Sequence, residues 1–103
     1  MTVKFRQNQL AVSLQHQFFP TSIDLSEASS VEFRMTSRTG VVKRDWAACT
    51  ITDTPNRKVR YDWQAGDLDT AGHYYGQYRI TYNGGNTEIV PVGDPVEITV
   101  LSV

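Results

Sequence analysis

Two histidines, one cysteine and one acidic turn are the residues whose chemistry could do more than pack in this 103-residue chain. Covalent or acid–base catalysis needs a nucleophile, a base and an orienting group within hydrogen-bond reach. His16 lies in the polar run Gln15-His16-Gln17, and His73 lies far along the chain in Ala71-Gly72-His73-Tyr74. Neither is flanked by a Ser-and-carboxylate pattern, so both read as surface or loop histidines. Cys49 sits in the strand-like run Ala47-Ala48-Cys49-Thr50-Ile51. Free Cys is among the most buried residue types, so it reads as a core thiol. A lone Cys forms no internal disulfide, and one Cys with two distant His gives no zinc-ligand spacing. Asp67-Leu68-Asp69-Thr70-Ala71-Gly72 copies the opening of a calcium loop, with carboxylates at positions one and three and Gly at six. Position five is Ala71, and position twelve, where a bidentate Glu belongs, is Tyr78. The stretch therefore reads as a tight corner. Gly84-Gly85 is followed by Asn86-Thr87, not by the Lys-Ser/Thr of a phosphate loop. The sequence predicts no catalytic residue, no metal, no cofactor and no enzyme.

Charge narrows the partners. Ten Lys and Arg stand against eleven Asp and Glu. A general nucleic-acid binder needs a positive excess to neutralise phosphates, and docking to an anionic membrane needs the same. Neither partner is expected, nor is a small-molecule substrate. The local clusters Lys43-Arg44 and Arg57-Lys58-Arg60 have acidic neighbours at Asp45, Asp53 and Asp62, and read as solvated strand faces. No secretory signal, long apolar span or Asn-x-Ser/Thr sequon is evident, so synthesis in a reducing cytoplasm is expected.

The elements that would position these residues are strands. Val31, Phe33 and Met35 alternate with Glu32, Arg34 and Thr36; Val59, Tyr61 and Trp63 alternate with Lys58, Arg60 and Asp62. Tyr74, Gly76, Tyr78, Ile80 and Tyr82 share one face against Tyr75, Gln77, Arg79 and Thr81, and Val96, Ile98 and Val100 follow the same rule. Successive strand side chains point to opposite faces, so each run has a core face and a wet face. Arg38-Thr39-Gly40, Thr54-Pro55-Asn56-Arg57 and Asn83-Gly84-Gly85-Asn86 supply turn residues between the runs, and Gly93-Asp94-Pro95 closes the last loop. Pro91 and Pro95 make Ile89–Val92 an edge or a connection. Leu10, Val12 and Leu14 alternate as a strand, and Glu27-Ala28-Ser29-Ser30 has room for a helical turn. Residues 1–103 thus read as one all-β domain, an immunoglobulin-like antiparallel sandwich of about seven strands without a disulfide, although a small barrel meets the same periodicity. The core falls to Phe33, Tyr61, Trp63, Tyr74, Tyr78 and Ile80, with Gly72 at a corner that a Cβ would crowd. Trp46 and Tyr75 are the aromatics whose facing alternation leaves open. Exposed together, they would form a sugar- or protein-binding surface.

Three stretches carry a family resemblance: Asp24-Leu25-Ser26 through Val31-Glu32-Phe33-Arg34-Met35, Lys58-Val59-Arg60-Tyr61-Asp62-Trp63 through Ala71-Gly72-His73-Tyr74, and Tyr78-Arg79-Ile80-Thr81-Tyr82 with a later Pro91. In order and spacing they resemble the N-terminal domain of the phage baseplate upper protein family. Tyr74 also resembles the tyrosine corner of Ig domains, and Gly76 stands where such a domain carries its second Cys. The resemblance implies a bacteriophage virion structural protein, a tail, baseplate or neck adaptor acting through protein–protein contacts. Alternatives are a capsid decoration protein or a carbohydrate- or receptor-binding module. It further implies other virion proteins as partners, a homo-oligomer or multi-copy arrangement, and location in the virion after synthesis in the host cytoplasm. Residues 1–17 would be an N-terminal arm that adds a strand to a neighbour, or an edge strand.

Overall fold

The computed structural model describes residues 2–9, 13–18, 23–90 and 96–102. The strands are β1 (Thr2–Arg6), β2 (Ser13–Gln17), β3 (Ala28–Ser37), β4 (Val42–Ala48), β5 (Thr50–Asp53), β6 (Lys58–Asp62), β7 (Gly72–Tyr82), β8 (Thr87–Val90) and β9 (Val96–Leu101). They form two sheets packed as a sandwich. The larger has the order β1-β9-β7-β3-β4, with β8 also on β7; the smaller has the order β2-β6-β5.

Nine described strands replace the expected seven, for two reasons. β8 and β9 follow one another along the same edge of β7: Val90 lies opposite Tyr78, and Val96 opposite Gly76. Together they act as one interrupted strand. β4 and β5 are consecutive, yet belong to different sheets. The chain crosses between them at Cys49, whose N–H donates to Val31 O at 2.8 Å.

The expected all-β sandwich is what forms, with one pairing outside its antiparallel pattern. β1 runs parallel to β9, residues 2–6 beside 97–101. Val3 and Phe5 pack against the core from β1, and the Phe5 ring meets Trp63 edge-on at 5.0 Å. Gln7 N–H donates to Leu101 O and Asn8 N–H to Leu68 O, both at 2.8 Å. The described part of the expected arm is thus built into its own domain. Residues 10–12, part of the expected first strand, lie outside the described residues, as does Gly93-Asp94-Pro95.

Three predicted turns form between strands. Gly40 N–H reaches Ser37 O at 3.0 Å, Arg57 N–H reaches Thr54 O at 3.2 Å, and Gly85 N–H reaches Tyr82 O at 2.8 Å. The helical turn sits earlier than expected, as a 3₁₀ turn at Leu25–Glu27. Asp24 caps it, accepting from Ser26 N–H at 3.0 Å, the usual work of an N-cap carboxylate. β3 has already begun at Ala28.

Phe33, Tyr61, Trp63, Tyr74, Tyr78 and Ile80 are all buried in one cluster between the sheets. Phe33 stands 4.7 Å from Tyr61 and 5.4 Å from Tyr78, while Trp63 meets Tyr61 edge-on at 5.4 Å. Such offset and edge contacts add about 0.5–1.5 kcal/mol per pair beyond area burial. Gly76 lets β7 pass this cluster: a Cβ there would stand 2.8 Å from Phe33 Cε1 and 3.1 Å from Ile98 Cδ1.

Candidate functional site

With the aromatic interior consumed by packing, the side chains free to meet a partner lie on outer faces. The informative one is the outer face of the larger sheet, and β4 shapes it. β4 pairs with β3 through Phe33↔Ala47 and Met35↔Arg44, so Asp45 and Trp46 together oppose Arg34. That extra residue is a β-bulge, which re-aims side chains that strict alternation would send to opposite faces. Arg34 and Arg79 alternate with buried Phe33, Met35, Tyr78 and Ile80, so both point outward. Trp46 lies with them: the guanidinium carbon of Arg79 is 4.5 Å from its ring centroid, and that of Arg34 is 5.7 Å away. Cation–π contacts of this kind at exposed sites are worth about 0.5–1 kcal/mol each. Arg79 also grips Glu32 Oε1 through Nη2 at 2.8 Å and Nε at 3.1 Å, and Arg34 Nε stands 3.7 Å from Asp45 Oδ1.

Tyr75 is on the same face, between inward-facing Tyr74 and Gly76. It pairs with Thr36, and Gln77 pairs with Arg34. Gln77 therefore lies between Tyr75 and the Arg79–Trp46 contact. Ile89 sits opposite Arg79 and is 46% exposed. The structure thus brings Trp46 and Tyr75 to one half-exposed face, as sequence alternation alone did not. The glycan version of that surface meets an obstacle, because Arg79 already covers the indole that a sugar ring would stack on.

Behind β4, the next bulge residues turn the other way. Arg44 reaches Asp67, which is completely buried, with Nε and Nη2 both 2.6 Å from Oδ1. Tyr61 O–H donates to Asp67 Oδ2 at 2.6 Å, and Gln64 N–H donates to the same oxygen at 2.9 Å. Lys43 pairs with Asp69. The Lys43-Arg44 pair is therefore not the solvated strand face expected from sequence, and both carboxylates of the calcium-like stretch are held by cations. Burial, then the hydrogen bond to Asp67, push the Tyr61 hydroxyl well above the ordinary phenol range. The bond to Asp67 raises Arg44 further. This network ties β4 to the corner before β7 and so fixes the strand that carries Trp46.

The corner itself is held by Tyr74, whose hydroxyl donates to Thr70 O at 2.8 Å. The expected reason for Gly72 needs correction. A Cβ there would meet only the Tyr74 ring, at 3.8 Å. What demands glycine is its φ of +153°, which L side chains rarely adopt.

His16 is also corrected. It is not a surface histidine but lies on the core side of β2, opposite Val59. Its ring stacks on Tyr78 at 5.0 Å and 15°, with Phe18 edge-on at 5.2 Å. The signal was present in the sequence: the Leu10, Val12, Leu14 alternation continues in phase through His16 and Phe18. Burial lowers the His16 pKa. Neither its Nδ1 nor the Tyr78 hydroxyl has a hydrogen-bond partner among the described residues. His73 is exposed at the start of β7, with Nδ1 3.1 Å from Thr99 Oγ1. Cys49 packs against the core, and burial pushes its thiol up to about 12, so it stays protonated at neutral pH. Among the described residues no three His, Cys, Asp or Glu side chains converge as a metal site would require.

No family model and no curated protein matches the chain. Among solved structures, CopC from Methylosinus trichosporium OB3b is similar, at 16% identity and a TM-score of 0.47, covering 74% of this chain and 66% of that one. A likeness of this degree carries no argument about what the present chain does. The expected role as a phage tail, baseplate, neck or capsid part is corrected: none of the comparisons supports a virion component. The physical reason lies in the motifs that suggested it. Val59, Tyr61 and Trp63 fill the core, Gly72 supplies a rare φ, and Tyr74 ties a corner. Those features mark a way of building a sandwich, not a partner.

Proposed function

We propose that this is a non-catalytic contact domain, which recognises another protein through the outer face of its larger sheet with Trp46 as the anchor. The observation that carries the reading is the stack of Trp46 with Arg79 and Arg34 on a face that also holds Tyr75, Gln77 and the exposed Ile89. Trp, Tyr and Arg are the residues that most often dominate binding energy at protein interfaces. Here the Trp46–Arg79 stack is preorganised: Arg79 is fixed by Glu32, and β4 is fixed from behind by the Arg44–Asp67–Tyr61 network. A partner that meets this pair has less side-chain freedom to freeze there, which lowers the cost of association.

The test is site-specific photocrosslinking in the cells that make the chain. A benzophenone side chain at Gln77 reports on the proposed face, and one at Thr52, exposed on β5 of the smaller sheet, reports on the opposite face. Protein adducts at 77 that vanish with Trp46→Ala, and none at 52, are the expected result. Adducts confined to 52, or adducts at 77 indifferent to Trp46, would overturn the reading.

A further inference from the structure

Resting on that reading of the face, we infer that its partner is an acidic polypeptide, whose carboxylates seat along a row of unpaired cations beside Tyr75. Three observations carry this.

The first is where charge is left over. Of the ten Lys and Arg, Arg34, Lys43, Arg44, Arg60 and Arg79 are held in ion pairs, and Arg57 Nε donates to Phe18 O at 2.8 Å. Lys4, Arg6, Arg38 and Lys58 have no carboxylate partner among the described residues. Three of these four belong to the outer face of the larger sheet. Lys4 and Arg6 alternate with Val3 and Phe5, which pack on the core. Arg38 follows Arg34 and Thr36 in phase and lines one hollow with outward-facing His73, Tyr75 and Thr99. The acids of that face are already occupied: Glu32 by Arg79, Asp45 by Arg34, and Glu97 is engaged as well. The face therefore holds surplus positive charge on a chain whose net charge is -1, and its complement is negative.

The second is alignment. His73 lies opposite Thr99, and Thr99 lies opposite Lys4. Arg38 N–H donates to His73 O at 3.3 Å. Arg38, His73, Thr99 and Lys4 thus form one row across the sheet. At about 4.8 Å per strand, the two cations stand roughly 14 Å apart at the backbone. In an extended segment laid along the row, residues four apart face the same side at about 13 Å. Two acidic side chains at that spacing meet both cations.

The third is a place for a carboxylate. Arg38, His73, Tyr75, Glu97 and Thr99 line a shallow hollow of about 30 Å³. That is room for about two or three water-sized groups, the bulk of a carboxylate. A guanidinium offers a carboxylate two parallel N–H donors, and Arg38 brings its own to this hollow. Tyr75 joins the hollow to the Trp46 end of the face. A nucleic acid fits less well, because three carboxylates stand among the bases and Arg79 covers the indole on which a nucleobase would stack.

The test has two arms. In cells carrying the crosslinker at Gln77, Lys4→Glu with Arg38→Glu should cut the protein adducts at least about tenfold. Lys58→Glu, on the smaller sheet, should leave them unchanged. Lys4 and Arg38 are exposed, and amide NMR spectra confirm the fold of each variant. In the second arm the purified full chain is titrated with a decamer of glutamate, a decamer of lysine and a single-stranded DNA of the same length. Glutamate alone should shift the amides of Lys4, Arg38, His73 and Thr99, and the double charge reversal should abolish those shifts. Adducts at 77 that survive the reversal overturn the acidic partner and leave the contact face standing. A wild-type chain without adducts at 77 removes the face and this inference together. Glutamate shifts that are absent, or that gather at Lys58, overturn the row as a carboxylate site. DNA that shifts the same amides as strongly as glutamate overturns a polypeptide as the occupant.

Discussion

Replacing Asp67 by Ala should cost this domain about 3 kcal/mol, and the estimate can be assembled from its partners. The carboxylate is completely buried and receives Arg44, the Tyr61 hydroxyl and Gln64 N–H. Without it, the enclosed Tyr61 hydroxyl loses its acceptor, at a cost of about 1–3 kcal/mol for an unsatisfied buried polar group. Arg44 loses its carboxylate, but its side chain is 28% exposed. Water therefore recovers part of that loss, and about 1 kcal/mol remains of the several lost when a fully buried pair is broken. For a chain of this length each 1 kcal/mol moves Tm by roughly 4–8 °C, so the variant should melt about 15 °C lower. Urea denaturation at fixed pH, with an unchanged m-value, would measure the free energy directly. Tyr61→Phe should cost about 1 kcal/mol less in the Asp67→Ala background than in the wild type, because the two groups share one bond. A loss below about 1 kcal/mol, or strictly additive effects, would refute the view that this network anchors β4.

Other consequences follow from single positions. Gly76→Ala should destabilise by about 1–3 kcal/mol in the same denaturation assay, because its Cβ would stand 2.8 Å from Phe33 in a packed core. His16 should make stability fall as pH drops below about 6.5: burial lowers its folded pKa, so the unfolded chain takes up the proton first, and stability rises again with pH through that window. His16→Phe should flatten that part of the profile, and an unchanged slope would remove His16 as its source. Cys49, its thiol pushed to about 12 by burial, should react with iodoacetamide slowly when native and rapidly in denaturant. Equal rates would contradict the packing assigned to it.

Much of the fold could be read because β3, β6, β7 and β9 keep strict alternation, and the burial of Val31, Phe33, Met35, Val59, Tyr61, Val96, Ile98 and Val100 follows it. β4 hid its meaning. Register shifts on either side of Met35 break the period, so no pattern in Val42–Ala48 tells that Arg44 turns inward while Trp46 turns out. The partner of Arg44 is Asp67, 23 positions away, not its neighbour Asp45. Spacing along the chain does not encode that pairing; the meeting of β4 with the corner before β7 does. The parallel β1–β9 pair was hidden for the same reason, since it joins the two ends of the sequence. Motifs such as Gly72-His73-Tyr74 were visible, but they report how the corner is made rather than what the surface meets.

The two tryptophans have opposite fates, Trp63 within the sandwich and Trp46 on the outer sheet face. Iodide quenching of fluorescence in two single-tryptophan variants measures this directly. With Trp63→Phe, the remaining Trp46 should be quenched readily; with Trp46→Phe, the remaining Trp63, 5% exposed, should be nearly untouched. A Trp46 shielded as well as Trp63 would contradict the assignment of the outer face as the surface that works.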